Sequence, residues 1–197
     1  MITSRFINAA TIIMEELVSP KMRVMGTMVD ILGIGVLIEG KPGIGKNETA
    51  LTLIMRGHSL VSDDITELRR DSTGSIMGSP VDITRYHMEI RGLGIIHVPS
   101  LFGVASMRRE ARLDIIIRLE RHGPKIEEDR SGLTPRTRDV MGVDIPFVIL
   151  PVAAGRDMAN VVEVAALNQK LKGLGHDAAK ELDEKLMRAL SKEQQIK

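Results

Sequence analysis

Residues 40–47 carry the residue types, in order, of a loop that binds the phosphates of a nucleotide. Three glycines let the backbone turn so that successive N–H groups face inward, and Lys46 can reach the outer phosphates. The pattern GxxxxGK[ST] is met except at its last position, where Asn47 replaces the hydroxyl residue that ligates Mg2+. Its amide offers a carbonyl oxygen, a weaker ligand for a hard cation. A plain glycine-rich turn is the less favoured alternative. We predict that nucleotide phosphates, and Mg2+ held mostly through them, bind at the glycine loop: Gly40, Lys41, Pro42, Gly43, Ile44, Gly45, Lys46 and Asn47.

Two adjacent acids, Asp63 and Asp64, end a short apolar run that begins at Leu60. In proteins with a phosphate-binding loop, an Asp at the end of a second strand commonly meets Mg2+ or orders its water shell. The alternative is that these side chains only cap a turn. Their position one helix after the glycine loop favours the functional interpretation.

Glu89 and Arg91 lie in residues 88–96, where charged and apolar residues alternate before two glycines. The alternation predicts a single strand with both side chains on the same face. An exposed, ion-paired face is the more common cause of such a pattern, so a functional role stays open. Arg108, Arg109 and Arg112 form a small basic cluster, for which a solvated face is favoured over contact with a phosphate or an acidic partner.

The composition excludes several classes of function. The 197 residues fit one domain, or one domain with an appendage. A net charge of +1 and 2% aromatic residues provide neither a field nor a stacking platform for nucleic acid. The absence of cysteine excludes disulfides and thiolate metal sites, and the five scattered histidines disfavour a histidine metal site. Because no apolar run reaches about 20 residues and no signal-peptide pattern is present, we predict a cytoplasmic protein without a membrane span.

The elements that must position these residues follow from apolar spacing and turn residues. An apolar run before the glycine loop predicts a strand, and the helix after it should end near Arg56, before Gly57. The Leu32-Gly33 turn predicts a hairpin between this strand and the one before it. We predict strands over 21–30, 34–38, 60–64, 65–70, 113–119 and 144–152, a turn at 100–103, and helices over 4–17, 161–171 and 178–190. Residues 121–141 are polar and predict a long functional loop.

Six sequence blocks occur together between about Phe6 and Leu190: GIGK, RGH, EIRGLGII, LFG, PVxxGR and VVEVAALN. Together they resemble the C-terminal catalytic domain of the HPr kinase/phosphorylase family, far more specifically than the loop alone. The resemblance implies a bacterial enzyme that phosphorylates a serine of the phosphocarrier protein HPr with ATP. It also implies the reverse reaction, phosphorolysis by inorganic phosphate with release of pyrophosphate.

The resemblance also implies an architecture. The fold should be α/β, with a mixed β-sheet, the phosphate loop beside its edge and two C-terminal helices packed against it, related to phosphoenolpyruvate carboxykinase-type folds. Residues 1–20 would be a linker helix and residues 21–197 the catalytic ATP-binding domain, without the N-terminal domain of the family. The family assembles as hexamers, so a homohexamer is expected.

Matching positions imply individual roles. Asp64 resembles the general base, with Asp63 beside it, and Glu89 resembles a Mg2+ ligand in addition to Asn47. A neighbouring acid could raise the pKa of such a base, which must both take and return a proton. The implied catalytic set is completed by Lys46 on the outer phosphates and by Arg91, Arg130 and Arg156.

Three positions depart from the family pattern. Met25 stands where the family has a catalytic histidine, Asn47 replaces the Mg2+ serine, and Ala153 replaces an arginine. Since all three changes remove groups that handle phosphate or metal, we hypothesise that phosphorolysis is reduced or lost while ATP binding survives. Two alternatives remain open: a nucleotide-binding relative with little or no catalysis, and a kinase for another acceptor.

Overall fold

The computed structural model describes residues 20–121 and 136–194. The predicted linker helix therefore lies almost wholly outside the described residues, as does most of the predicted long loop, including Arg130. The strands of the described part are β1 (Lys21–Met25), β2 (Thr27–Ile31), β3 (Ile34–Gly40), β4 (Ser59–Ser62), β5 (Ile65–Arg70), β6 (Ile76–Pro80), β7 (His87–Ile90), β8 (Gly94–His97), β9 (Ala111–Arg121), β10 (Thr137–Val140) and β11 (Val143–Val152). The helices there are α1 (Lys46–Met55), α2 (Val98–Phe102), α3 (Met158–Gly173) and α4 (Ala178–Gln194), with 3-10 turns at Asp82–Thr84 and Val104–Ser106.

A mixed sheet of nine strands forms the body of the domain, which confirms the predicted α/β class with a mixed sheet. The strands β1-β5-β6-β9-β3-β2-β4 lie side by side in that order. Strand β9 branches, because its first residues pair with β6 in antiparallel and its last residues pair with β11 in parallel. Strand β3 runs parallel to β9 along its other side. The glycine loop thus leaves an interior strand, and the prediction that it lies beside the edge was wrong. Five consecutive buried residues of β3 fit a strand covered on both faces.

Two apolar cores cover the two faces of the sheet. Successive residues of β3, such as Val36 and Leu37, belong to different cores, because successive side chains of a strand point to opposite faces of the sheet. The first core receives Leu53 from α1 and Val162 from α3, both fully buried. Helix α1 is therefore fixed against the sheet, and its first turn stands at the end of β3.

The hairpin of β2 and β3 through Leu32 and Gly33 is confirmed. The single strand predicted for residues 21–30 is divided at Gly26 into β1, which pairs with β5, and β2. A Cβ at Gly26 would lie 2.9 Å from the Leu37 side chain and 3.0 Å from the Ile38 carbonyl oxygen. A side chain is therefore excluded at Gly26. Before it the chain pairs with β5, and after it with β3 and β4.

Residues 87–97 form a hairpin of β7 and β8 instead of the predicted single strand. Gly92 and Gly94 have φ angles of 81° and 92°, which glycine adopts without penalty and which turn the chain back. Arg91 therefore lies in the turn, and the prediction that Glu89 and Arg91 share one strand face was wrong. The predicted turn at 100–103 is the end of the short helix α2.

The two C-terminal helices are confirmed, but only α3 packs on the sheet. The apolar stripe of α4 is exposed: Leu182 is 59% exposed, Leu186 54%, Met187 60% and Leu190 56%. The prediction that both helices cover the sheet is thus wrong for α4. No helix in the described ranges has the length and apolar character needed to cross a membrane.

Candidate active site

The glycine loop, the end of β4 and the β7–β8 hairpin enclose one open cavity of about 450 Å3. The sheet brings residues distant in sequence to this point because β4 and β3 both flank β2. Nine of the predicted site residues line the cavity: four of the glycine loop (Gly40, Pro42, Gly43 and Gly45) and the polar residues Lys46, Asn47, Asp64, Glu89 and Arg91. Its remaining lining residues are Met25, Glu48 and Ile65.

The glycine loop has the backbone of an anion-binding turn. Gly43 and Gly45 have φ angles of 74° and 105°, in the left-handed region where glycine avoids the cost of a Cβ. Gly45 also precedes α1 without any side-chain cap, which leaves the first N–H groups of the helix available. Lys46 Nζ folds back onto the Gly40 carbonyl oxygen at 3.2 Å. Positive potential is therefore concentrated at one end of the cavity.

Arg91 reaches the glycine loop from the hairpin turn. A Cβ placed on Gly43 would lie 2.7 Å from Arg91 Nη2, so the guanidinium group rests directly on the loop backbone. This position adds a second fixed cation to the same end of the cavity as Lys46. Two cations and free N–H groups suit a ligand with several negative charges.

Asp63 lies beneath the cavity and is 7% exposed. Its carboxylate accepts hydrogen bonds from Thr27 Oγ1 at 3.1 Å, from Asn47 Nδ2 at 3.2 Å and from the backbone N–H of Glu89 at 3.2 Å. Burial, followed by the charge of Asp64, raises the pKa of Asp63 to about 6. Asp63 therefore links the loop, the β2 strand and the hairpin.

Asp64 is exposed on the cavity wall and has a φ angle of 54°. A non-glycine residue in the left-handed region costs about 1–3 kcal/mol, and such strain is concentrated at functional sites. Its own carbonyl oxygen accepts a hydrogen bond from the N–H of Gly26 at 2.8 Å, which holds the strained residue against the break between β1 and β2. The carboxylate can thus meet a ligand while its backbone is fixed.

Met25 lines the same cavity and is 78% exposed. It pairs with Ile65 in the β1–β5 ladder, next to Asp64. Met25 therefore presents a large apolar side chain, without a titratable group, to the same cavity as Asp64. Arg156, by contrast, does not line this cavity; it is exposed in the turn before α3, where Nη1 donates to the Pro151 carbonyl oxygen at 3.4 Å.

Sequence reasoning missed two sets of residues. Thr27, fully buried, joins Asp63 to Asn47, and a lone threonine at the start of an apolar strand carries no local signal for this. The Arg56-Gly57-His58 block is structural: Arg56 binds Asp157, Asn160 and Glu163 of the α3 region, and His58 lies 3.3 Å from Glu163 Oε1. The prediction that Asn47 is a Mg2+ ligand stays a prediction.

The fold and this cavity define a class of protein: a mixed α/β domain in which a glycine loop, a lysine, an arginine and carboxylates converge on one cavity. The chain belongs to the HPr serine kinase C-terminal domain family, whose model matches residues 16–186. The predicted family resemblance is thereby confirmed.

Similar proteins agree with this family. HPr kinase/phosphorylase of Geobacter sulfurreducens is 42% identical over 185 residues, which is 94% of this chain and 58% of that protein. The Caldanaerobacter subterraneus protein of the same name is 41% identical over 95% of this chain and 62% of its own length. The solved structure of the HPr(Ser) kinase/phosphatase from Coxiella burnetii is 31% identical, with a TM-score of 0.72, covering 82% of this chain and 98% of that one. The chain thus spans about three fifths of the curated relatives it matches.

Proposed function

We propose that this chain is the catalytic domain of an ATP-dependent protein-serine kinase that acts on the phosphocarrier protein HPr. The observation that carries the proposal is the convergence of Lys46, Asp64, Glu89 and Arg91 on one cavity at the start of α1. Relatives bearing the name HPr kinase/phosphorylase, at about 41% identity over most of the chain, support the same reaction. ATP, as the phosphoryl donor, places the activity in the cytoplasm.

The residues divide the reaction between binding and proton transfer. The glycine loop and the first turn of α1 hold the phosphates of ATP, with Lys46 and Arg91 beside the transferred group. Asp64 takes the hydroxyl proton of the acceptor serine. The serine oxygen attacks the γ-phosphorus, and the bond between this phosphorus and the bridging oxygen that stays with ADP breaks. In phosphorolysis, an oxygen of inorganic phosphate attacks the phosphorus of phosphoserine, the bond from this phosphorus to the serine oxygen breaks, and pyrophosphate forms. Asp64, protonated at the start of this reaction, gives its proton to the departing serine oxygen. Arg130 and Arg156 remain proposed members of the site.

The cavity suits a hard divalent cation. Glu89 contributes a carboxylate beside the glycine loop, and oxygen ligands are those that Mg2+ prefers. Within residues 20–121 and 136–194, no three or more His, Asp or Glu side chains converge as a metal site. Glu89 would therefore hold Mg2+ together with ATP phosphates and water, and the ion would neutralise phosphate charge.

The test is transfer of phosphate from γ-labelled ATP to purified HPr in the presence of Mg2+. We expect transfer by the wild type, loss in Lys46→Ala, and retention in Lys170→Ala, which removes the same charge from the exposed side of α3. Equal transfer by Lys46→Ala and wild type would refute the assigned phosphate site.

A second candidate is a nucleotide-binding relative with little or no turnover. Met25 in the cavity wall favours it, since a thioether can neither donate a proton nor bind phosphate. The same assay separates the candidates: ATP bound without labelling of HPr would support this second function. Labelling of another protein acceptor, with HPr unlabelled, would identify a kinase of different specificity.

The proposal includes self-assembly, as a hexamer by family resemblance. The exposed apolar stripe of α4 supports an interface between copies, because a stripe of four large apolar side chains is costly to leave in water. Light scattering coupled to size exclusion should give a mass above the 21.7 kDa of one chain. Leu186→Asp should lower it, and a monomeric wild type would refute the assembly.

A further inference from the structure

Asn47 occupies the loop position at which a hydroxyl residue commonly ligates Mg2+. We propose that Asn47 is a positioning residue that holds Asp63 and the β7–β8 hairpin, with its carbonyl oxygen turned towards the buried Thr27 hydroxyl and not used as a metal ligand. The inference rests on the proposed nucleotide site. It reverses the expectation from sequence that the Asn47 amide oxygen is a metal ligand.

The orientation of the Asn47 amide follows from its two acceptors. Nδ2 lies 3.2 Å from Asp63 Oδ2 and 2.9 Å from the carbonyl oxygen of Glu89. A carbonyl oxygen cannot donate a hydrogen bond, and the carboxylate is already an acceptor from two other groups. The NH2 group must therefore face these two oxygens, which leaves Oδ1 on the opposite side.

The Asn47 carbonyl oxygen faces a buried hydroxyl, whose single hydrogen it shares with Asp63 Oδ1. Thr27 Oγ1 lies 3.2 Å from Asn47 Oδ1, and Thr27 is fully buried. Ligation of a cation by Oδ1 would require this contact to break and the amide to turn, which would also leave Asp63 without its Nδ2 donor. The two hydrogen bonds donated by Nδ2, and the hydroxyl hydrogen shared with Asp63, thus oppose the metal-ligand orientation.

The amide also reaches where a serine hydroxyl does not. An Asn side chain is one carbon longer and carries two hydrogens on one nitrogen, so it bridges Asp63 and the hairpin backbone at once. A serine has one hydrogen to donate and would release at least one of the two oxygens. It would also place a hydroxyl oxygen at the loop position used for Mg2+. Compared with a serine at this position, Asn47 therefore provides no metal ligand but forms a bridge that orders the Asp63 carboxylate beneath the cavity.

Calorimetric titration of a non-hydrolysable ATP analogue over a series of Mg2+ concentrations tests this inference. Asn47→Ser should lower the half-saturating Mg2+ concentration several-fold, since it supplies an oxygen ligand and frees the acid. Asn47→Ala supplies neither the bridge nor an oxygen ligand, so its half-saturating Mg2+ concentration should exceed that of Asn47→Ser. Asn168→Ser, on the exposed face of α3, is the matched control and should match the wild type. No change or an increase in Asn47→Ser, or equal values for Asn47→Ser and Asn47→Ala, would overturn the inference.

A double-mutant cycle without nucleotide or metal separates this inference from the proposed function. The unfolding free energies of Asn47→Ala, Asp63→Ala and the double variant should show coupling between the two residues, because each holds the other. The cycle of Asn168→Ala with Asp63→Ala should show none. Absence of coupling in the first cycle overturns the positioning role. Failure of the analogue to bind at any Mg2+ concentration, with coupling present, would instead refute nucleotide binding.

Discussion

Glu39, the residue before the glycine loop, joins three strands through its carboxylate. Oε1 lies 2.6 Å from Arg138 Nη1 of β10, and Oε2 lies 3.2 Å from Arg118 Nη2 of β9. Both guanidinium groups also lie over the ring of Phe147 in β11, at 4.2 Å for Arg138 and 5.3 Å for Arg118. Glu39 is 13% exposed, so loss of the acid leaves two cations partly removed from water.

The distances and exposures predict which substitution in this cluster lowers the unfolding free energy most. Arg138 is 29% exposed and makes the shorter ion pair and the closer ring contact, whereas Arg118 is 40% exposed. Partly exposed ion pairs contribute about 0.2–1 kcal/mol and cation–π contacts about 0.5–1 kcal/mol. We expect Arg138→Ala to cost about 1.5 kcal/mol and Arg118→Ala about half of that. Glu39→Ala should cost about 2 kcal/mol, since it removes both pairs and leaves both cations.

Urea denaturation at neutral pH measures these changes in unfolding free energy. Double-mutant cycles of Glu39 with Arg118 and of Glu39 with Arg138 give the two coupling energies. The larger losses correspond to a decrease in Tm of about 4–8 °C in a chain of this size. The coupling of Glu39 with Arg138 should exceed that with Arg118, and Phe147→Leu should reduce the cost of Arg138→Ala. Equal couplings, or a greater cost for Arg118→Ala than for Arg138→Ala, would refute the reasoning from geometry.

Three further changes test separate parts of the structure. Gly35→Ala should cost about 3 kcal/mol in the same urea denaturation, because its Cβ would overlap a backbone carbonyl of β9. A Cβ at Gly33 would meet no atom within 4 Å, but its φ is 84°, so Gly33→Ala should cost about 1 kcal/mol. Met25→His should raise pyrophosphate release from phosphoseryl-HPr and inorganic phosphate relative to kinase activity, and Met25→Leu should not; no gain would contradict the role given to this position. The pKa of Glu67 is lowered, chiefly by its hydrogen bond and ion pair with Lys21. Its stabilising effect is therefore present above the pKa of the unfolded chain and lost as pH falls through the lower folded value, so the stability deficit of Glu67→Gln should vanish in acid.

Local sequence predicts the glycine loop well, because all the features that build it lie within about twenty residues. The strand, Gly43, Gly45, Lys46 and the following helix are each read from neighbouring positions. Alternation failed at the β7–β8 hairpin, since two short strands around a glycine turn repeat the same apolar period as one long strand. The exposed stripe of α4 was equally hidden, because amphipathic spacing predicts an apolar face without saying what covers it.

The contacts that organise the site are long-range, and this is why sequence could not provide them. Thr27, Asn47 and Asp63 are separated by 16 to 36 positions, and Glu89 reaches Asp63 from 26 positions away. Arg56 meets α3 across more than 100 positions. Family resemblance named Asp63 and Asn47, but only the folded sheet assigns their hydrogen-bond partners.

The branched strand β9 also bears on how the cavity at the glycine loop forms during folding. Glu39 and Arg118 are 79 positions apart, and β9 pairs with β3 along one side and with β6 and β11 along the other. Closing loops of that length is slow compared with local helix formation. Helix α1 and the β2–β3 hairpin are built from neighbouring residues, so we expect the long-range pairing of β3 with β9, and not the formation of α1, to limit the rate at which the cavity is completed.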